Sequence, residues 1–226
     1  MDYTSEEQQI EAIRKWWKQN GNNVLMGIAA AIAAVLGWQT WNQSQQANIE
    51  EAAALYGQVL ESANLIQQSR SEAKNDALEE QLSTLFHLGE KAKTEFEGSE
   101  YAVFAAMMMA REQVYSGKLE DAASELTWAL AHADNEALKL IVNLRLARVM
   151  MAQEQYDKAL SQLDSMSSES QSDAYAEVRG DIYLAKGDQE QAREAYKQAM
   201  TLSETRNGRV QPILKTKHDN LLVADD

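Results

Sequence analysis

The most informative feature of the hydropathy pattern is a long stretch without charge near the N-terminus. Residues 19–49 carry no charged side chain. An apolar run within this stretch begins at Val24 and ends at Trp38, and the span from Val24 to Trp41 is 18 residues long, about 27 Å as a helix, close to what spans a bilayer core of about 30 Å. Tryptophans flank the run on both sides, as at two membrane interfaces: Trp16, Trp17, Trp38 and Trp41. The pattern predicts a transmembrane helix at residues 23–42.

The run has two alternative interpretations, a buried core helix and a cleaved signal peptide. A buried core helix of this length usually shows a polar face, and this run has none. A cleaved signal peptide usually has a short basic leader and small residues at its cleavage site. The segment before the run instead contains acidic residues such as Glu11, and Trp38 and Trp41 stand where small residues are expected. An uncleaved anchor is therefore favoured.

The distribution of basic residues predicts the direction of the anchor. Arg14, Lys15 and Lys18 precede the run, and the next basic residue after it is Arg70. Because basic residues are retained on the cytoplasmic side, we expect residues 1–22 to be a cytoplasmic amphipathic tail, helical until Gly21. Residues 43–226 would then be exported, in a protein that crosses the membrane once.

The anchor has small residues at intervals of four, namely Ala29, Ala33 and Gly37. Such spacing lets a second transmembrane helix approach closely, since packing drives association within lipid. These residues are candidates for transmembrane packing. The alternative is that alanine is simply abundant in weakly apolar anchors.

The whole chain has the composition of an all-α protein, with one Pro, no Cys and 45% hydrophobic residues. Three segments share a helix-turn-helix pattern, at about 103–136, 140–173 and 173–206. Their small pivot residues are Ala122, Ala159 and Ala192, 37 and 33 residues apart, near the 34 of the tetratricopeptide repeat. The predicted fold is one transmembrane helix followed by a tetratricopeptide-repeat-like solenoid, with a generic stack of helical hairpins as the alternative.

Three further segments complete the predicted solenoid. Residues 49–66 and 76–97 read as helices before the first repeat, separated by a polar loop at 67–75. Pro212 suits the first turn of a closing helix at about 212–223, whose leucines would cover the last repeat.

Solenoids of this kind bind partners on the concave face formed by the first helix of each repeat. Counting back from the pivot alanines gives three registers of concave positions, and we predict a groove with an apolar floor and two stacked arginines. The candidate groove residues are Met107, Arg111, Val114, Leu144, Arg148, Met151, Asp181 and Leu184. The Lys and Asn set with which some tetratricopeptide domains clamp a C-terminal carboxylate is absent there. The alternative is that the two arginines form salt bridges on a solvated face.

Charge and motif content limit the classes of function. A net charge of −14 disfavours nucleic acid as a partner, because phosphate binding depends on Lys and Arg. His87, His132 and His218 stand without a second ligand at metal spacing. No phosphate loop, G-x-S-x-G motif or Cys nucleophile is present. We therefore expect no catalytic site, metal, cofactor or small-molecule substrate.

Four stretches resemble one known family along nearly the whole chain. They are Arg14-Lys-Trp-Trp17, the anchor end Gly37-Trp-x-x-Trp-Asn42, the block Leu138-Lys-Leu-Ile-Val-Asn-Leu-Arg-Leu-Ala-Arg148, and Arg179-Gly-Asp-Ile-Tyr-Leu-Ala-Lys-Gly-Asp188. In these the chain resembles the YfgM-like ancillary subunits of the bacterial SecYEG translocon.

The resemblance implies a membrane-anchored adaptor in protein transport, located in a bacterial inner membrane with residues 43–226 in the periplasm. Its partners would be the SecYEG translocon, a membrane-anchored periplasmic chaperone of the PpiD type, and membrane lipid. It would link emerging secretory or outer-membrane proteins to periplasmic chaperones through the groove. A general periplasmic holdase chaperone and an envelope assembly scaffold unrelated to the translocon are the alternative functions.

Overall fold

The computed structural model describes residues 3–73, 75–166 and 172–222, and all regular secondary structure in these ranges is α-helical. Nine helices follow one another along these residues: α1 Tyr3–Ser71, α2 Asn75–Glu95, α3 Glu100–Tyr115, α4 Leu119–His132, α5 Glu136–Ala152, α6 Tyr156–Asp164, α7 Asp173–Lys186, α8 Gln189–Asn207 and α9 Pro212–Leu222. The predicted all-α class is confirmed.

The chain divides into two compact units, Met1–Glu51 and Ala52–Asp226. The described part of the first unit lies within α1, and α1 is the one helix among the described residues long and apolar enough to cross a membrane. None of its most apolar window is buried, unlike the interior of a core helix.

Helix α1 does not end at Gly21, where the sequence predicted a break. The backbone continues as α-helix through this residue, and a Cβ placed there would lie 3.2 Å from Trp17 Nε1. Glycine costs only about 1 kcal/mol in a helix interior, a penalty that the flanking helical residues outweigh. Helix α1 also extends to Ser71, so the predicted polar loop at 67–75 is much shorter.

The second unit is a stack of helical hairpins. The end of α1 packs with α2 and α3 around Val59, Ile66 and Leu85. Helices α3, α4 and α5 share a second cluster around Val103, Leu126 and Val142. Helices α5, α6 and α7 share a third one around Ala159, Leu163 and Ile182. Each cluster joins one hairpin to the next, as in a solenoid whose repeats contact only their neighbours.

The predicted repeats coincide with the hairpins α3–α4, α5–α6 and α7–α8. The three pivot alanines are fully buried, which lets the paired helices approach closely. In the third repeat Gly180 lies against the ring of Tyr196, and an added Cβ would be 2.5 Å from Tyr196 Cε1. The side chain volume at these positions is therefore limited by the neighbouring helix.

The turn of each hairpin contains a residue with a left-handed backbone conformation, five positions before the pivot alanine. Gly117 and Gly187 occupy it with φ of 73° and 90°. In the second repeat the same conformation is adopted by Glu154, with φ of 61°. The second repeat thus has the same turn geometry as the other two, although a residue with a side chain disfavours the left-handed conformation.

Helix α9 closes the stack, as predicted. Its Leu214 joins a cluster with Ala176 and Ala199, and its Leu221 packs near Ala192 and Tyr196. Helix α9 therefore covers apolar surface of the α7–α8 pair that would otherwise be exposed.

Candidate binding groove

A cavity of about 460 Å³ lies between α3, α4 and α5. This volume falls within the range of about 300–1,000 Å³ found for ligand pockets. Most of its lining is apolar, and it carries three arginines. The lining includes Met107, Arg111, Val114, Arg145, Arg148 and Val149. We call this cavity and its lining the arginine groove.

The structure brings half of the predicted groove residues together. Met107, Arg111, Val114 and Arg148 all line the arginine groove. They come from the first helices of two successive repeats, α3 and α5. This arrangement agrees with the concave surface expected for a solenoid of this kind.

The other four predicted residues lie elsewhere. Leu144 and Met151 are partly buried against the cluster shared by α5, α6 and α7. Leu184 is 42% exposed on α7. Asp181 is held by helix α9: Lys217 Nζ donates to Asp181 Oδ1 at 2.7 Å. The concave positions of the third repeat therefore do not continue the arginine groove.

Helix α9 supplies the counter-charge for the carboxylates of α7. Lys217 Nζ also donates to Glu177 Oε1 at 2.7 Å, and Tyr196 Oη donates to Asp181 Oδ1 at 2.8 Å. Burial raises the pKa of the Tyr196 hydroxyl, and the hydrogen bond with Asp181 raises it further. Burial opposes the charged form of Lys217, but its hydrogen bonds to the two carboxylates outweigh that effect and raise its pKa.

Arg111 belongs to a buried ion-pair cluster at the edge of the arginine groove. The Glu112 side chain is 0% exposed, with Arg111 Nη2 2.7 Å from Oε1 and Arg70 Nη1 2.7 Å from Oε2. The Arg70 guanidinium also lies over the Tyr115 ring, 4.7 Å from its centroid. A single carboxylate thus faces two guanidinium groups.

Arg145 was not among the predicted groove residues, although it lines the cavity. Counting from the pivot alanines selects positions that are three or four residues apart, and position 145 is not one of them. Partial desolvation is the largest cause that lowers the pKa of the Arg145 guanidinium, and repulsion from Arg111 and Arg148 lowers it further. Within the described ranges, neither Arg145 nor Arg148 has a carboxylate within ion-pair distance.

An aromatic cluster lies beside the arginines. Tyr56 from α1 packs against Tyr101 and Phe104 from α3, with ring centroids 5.9 Å and 5.7 Å apart. Burial raises the pKa of the Tyr56 hydroxyl, while the nearby charges of Arg111 and Arg145 oppose that rise. The aromatic cluster therefore extends the apolar part of the same face towards α1.

The predicted packing residues of the anchor are exposed. Ala29, Ala33 and Gly37 are all solvent-accessible, and a Cβ added at Gly37 would have no neighbour within 4 Å. The tryptophans flanking the apolar run pack in pairs, Trp16 on Trp17 at 6.4 Å and Trp38 on Trp41 at 5.3 Å between centroids.

No group of three His, Asp or Glu side chains that could hold a metal ion occurs among the residues described above. The arginine groove combines guanidinium donors with an apolar wall.

Comparisons with solved structures support the fold. The kinesin light chain TPR-like repeats of Podosopora anserina match with a TM-score of 0.58 at 17% identity, over 75% of this chain and 87% of that one. BtubC from P. vanneervenii matches with a TM-score of 0.51 at 16% identity, over 76% and 84% of the respective chains. Both confirm the solenoid of tetratricopeptide type and nothing beyond the fold.

Comparisons with known sequences are more specific. The tetratricopeptide repeat-like domain family matches residues 14–223. The ancillary SecYEG translocon subunit of Escherichia coli K12 is 31% identical over 86% of both chains, and that of Haemophilus influenzae is 32% identical over 86% of this chain and 88% of its own. The Aggregatibacter actinomycetemcomitans protein of the same name is 31% identical over 98% of this chain and 100% of its own. The chain therefore belongs to the tetratricopeptide repeat-like family of ancillary SecYEG translocon subunits.

Proposed function

We propose that this protein is a non-enzymatic adaptor of the inner-membrane Sec translocon. The apolar part of α1 anchors it beside the channel, and the helical repeats that follow dock a partner. Its role is to pass emerging secretory or outer-membrane polypeptides to periplasmic chaperones.

One observation carries the translocon assignment. The Aggregatibacter relative, named an ancillary SecYEG translocon subunit, aligns with 98% of this chain. That alignment extends over both the apolar segment of α1 and the helical repeats. A shared membrane anchor and a shared repeat domain together support a shared location at the translocon.

The orientation follows from the basic residues of α1. Arg14, Lys15 and Lys18 precede the apolar run, and retention of basic residues in the cytoplasm places the N-terminus there. The repeat domain then lies in the periplasm.

Cysteine labelling tests this orientation directly. Since the chain has no Cys, single cysteines are introduced at Gln9 and Gln191, which are both exposed. A membrane-impermeant maleimide applied to intact spheroplasts is expected to label Gln191→Cys and spare Gln9→Cys, and the reverse pattern would contradict the orientation.

The docking role is supported by the arginine groove. Its apolar wall and its guanidinium groups suit a polypeptide segment better than a small solute, because they extend over two successive repeats. A membrane-anchored periplasmic chaperone of the PpiD type is the partner that the family resemblance favours. The anchor stripe of Ala29, Ala33 and Gly37 would contact a second transmembrane helix in the same complex.

The test is affinity capture of the full-length chain from membranes extracted in mild detergent, followed by mass spectrometry. We expect SecYEG subunits and a periplasmic chaperone to be captured together. A matched control is a chain whose α1 apolar run is replaced by an unrelated transmembrane helix. Capture of other envelope proteins without translocon subunits would contradict the proposal and favour an assembly scaffold.

A holdase function is distinguished by a second measurement. The full-length chain in detergent micelles is mixed with a denatured client protein, and aggregation is followed by light scattering. An adaptor is expected to leave aggregation unchanged at equimolar concentration. Suppression of aggregation would favour a chaperone that holds unfolded chains on its own.

A further inference from the structure

We infer that the arginine groove recognises a segment of a partner polypeptide in which two or more carboxylates stand beside apolar side chains. This inference rests on the proposed docking role and specifies the chemistry of the docked segment. The determinants are Arg111, Arg145 and Arg148, set against the apolar wall formed by Met107 and Val149.

The first step of the argument is a local excess of positive charge. Four guanidinium groups lie in or beside the groove. Those of Arg70 and Arg111 pair with the buried carboxylate of Glu112, and those of Arg145 and Arg148 have no carboxylate within ion-pair distance among the described residues. The chain as a whole carries a net charge of −14. An excess of arginines over carboxylates in so acidic a protein is a local property of this surface, and it attracts the opposite charge.

The second step is the like-charge repulsion that this arrangement leaves in place. The charges of Arg111 and Arg148 act on Arg145, and together with desolvation they disfavour its charged form. A guanidinium nonetheless stays protonated in proteins, so the repulsion persists in the free protein. Carboxylates brought by a partner would relieve it, and guanidinium groups bind carboxylates through paired, charge-assisted hydrogen bonds.

The third step is the apolar surface beside the charges. Val114 is 40% exposed and Ile141 is 48% exposed, and Ile141 precedes Arg145 by one helical turn on α5. The cavity of about 460 Å³ has room for apolar side chains of a docked segment. An amphipathic helix can offer apolar and acidic side chains on adjoining faces, as helices that bind in grooves do.

The test uses three synthetic amphipathic peptides of the same length with leucines on one face. Their polar positions next to the leucines are glutamate in the first, glutamine in the second and lysine in the third. Binding of each labelled peptide to the full-length chain in detergent micelles is measured by fluorescence anisotropy. We expect the affinity to be highest for the glutamate peptide, lower for the glutamine peptide and lowest for the lysine peptide.

The variant is the double substitution Arg145→Gln and Arg148→Gln. We expect it to lower the affinity for the glutamate peptide by about tenfold or more, equivalent to about 1.4 kcal/mol, and to change the affinity for the glutamine peptide little. The matched control is Arg179→Gln, which removes an arginine paired with Asp164 at 2.6 Å, outside the groove. The control is expected to bind the glutamate peptide as the wild type does. Thermal unfolding of all variants separates loss of binding from loss of fold.

Several results would overturn the inference. Equal binding of the glutamate and glutamine peptides, no binding of either, or unchanged binding by the double variant would each do so. A rise in affinity after removal of residues 224–226 would assign the groove to the acidic end of this same chain. Dimerisation that the double variant abolishes would assign it to a second copy.

The outcomes also separate this inference from the proposed function. A chain that is captured with translocon subunits but does not discriminate carboxylate from amide peptides retains its adaptor role and loses only the acidic specificity. Discrimination between the peptides without capture of the translocon would leave the groove chemistry intact and contradict the location.

Discussion

Lys217 Nζ lies 2.7 Å from Asp181 Oδ1 and 2.7 Å from Glu177 Oε1, so a single lysine of α9 holds two carboxylates of α7. The closing helix is thus fixed by charge as well as by the burial of Leu214 and Leu221. Because Asp181 is paired within the chain, it does not extend the arginine groove to the third repeat.

The first prediction concerns the charge contribution to the docking of α9. Lys217→Met removes two partly buried ion pairs and leaves Glu177 and Asp181 without their partner. We expect the free energy of unfolding to fall by about 1–3 kcal/mol, measured by urea denaturation. Lys215→Met, on the exposed side of α9, is the matched control and is expected to have little effect. Equal stability of the two variants would contradict a structural role for Lys217.

The second prediction is loss of stability at alkaline pH. Tyr196 is fully buried, and its pKa is raised from the ordinary value of 10.0. Above pH 10.0 the unfolded state loses the phenolic proton while the folded state retains it, so the free energy of unfolding falls as pH rises. The contribution is complete below pH 10.0 and decreases above it by up to about 1.4 kcal/mol per pH unit.

The alkaline effect is checked by urea denaturation at several pH values on either side of pH 10.0. Lys217 acts in the same direction, since its raised pKa means that its stabilisation is also lost on alkaline titration. Tyr196→Phe is expected to show a shallower decline above pH 10.0. A variant with the same slope as the wild type would exclude Tyr196 as a source of the effect.

Several parts of the fold were predictable because they depend on local chemistry. The pivot alanines and turn glycines recur at the spacing of the repeat, so the three hairpins and the closing helix were located within a few residues. The end of the first helix was not predictable from Gly21, since one glycine only weakly opposes helical residues on both sides.

The candidate site was less predictable, because it depends on how helices pack across long sequence separations. The concave register located Arg111 and Arg148, but the sequence contains no signal for the register of α9 against α7, which pairs Asp181 with Lys217. Arg145 lies between two counted positions, and its exposure to the cavity depends on the rotation of α5 against α3. The packing of the helices determines both the register of α9 and the exposure of Arg145 to the cavity.

The third prediction concerns the left-handed turn of the second repeat. Glu154 has φ of 61°, where Gly117 and Gly187 stand in the other two repeats. A left-handed conformation costs an L residue about 1–2 kcal/mol, a cost that glycine avoids. Glycine loses more backbone entropy on folding, however, and this offsets about 0.5–1 kcal/mol of the gain. Glu154→Gly is therefore expected to raise the free energy of unfolding by up to about 1 kcal/mol, measured by urea denaturation. Glu154→Ala keeps the strain and is the control. A glycine variant less stable than wild type would show that the Glu154 side chain stabilises the turn.

The fourth prediction tests the transmembrane stripe. Ala33→Leu adds volume on the face formed by Ala29, Ala33 and Gly37, and close helix approach in lipid depends on small side chains. We expect weaker capture of translocon subunits with unchanged membrane insertion, measured by quantitative mass spectrometry and carbonate extraction. Ile32→Leu changes the neighbouring face at constant volume and is expected to behave as wild type. Equal capture by both variants would exclude the stripe from the contact.

The last prediction separates binding from stability at the arginine groove. Arg148 has no carboxylate within ion-pair distance among the described residues, so Arg148→Glu breaks no such contact and places a negative charge beside Arg111 and Arg145. We expect the melting temperature to change by less than a few degrees, while capture of the periplasmic partner falls markedly. Glu112→Gln is the opposite case: it leaves Arg70 and Arg111 without their buried carboxylate and is expected to lower the free energy of unfolding by about 1–3 kcal/mol. Thermal unfolding and affinity capture of both variants check the pair. A large loss of stability in Arg148→Glu would mean that this arginine supports the fold and would remove the main reason for assigning it to the binding surface.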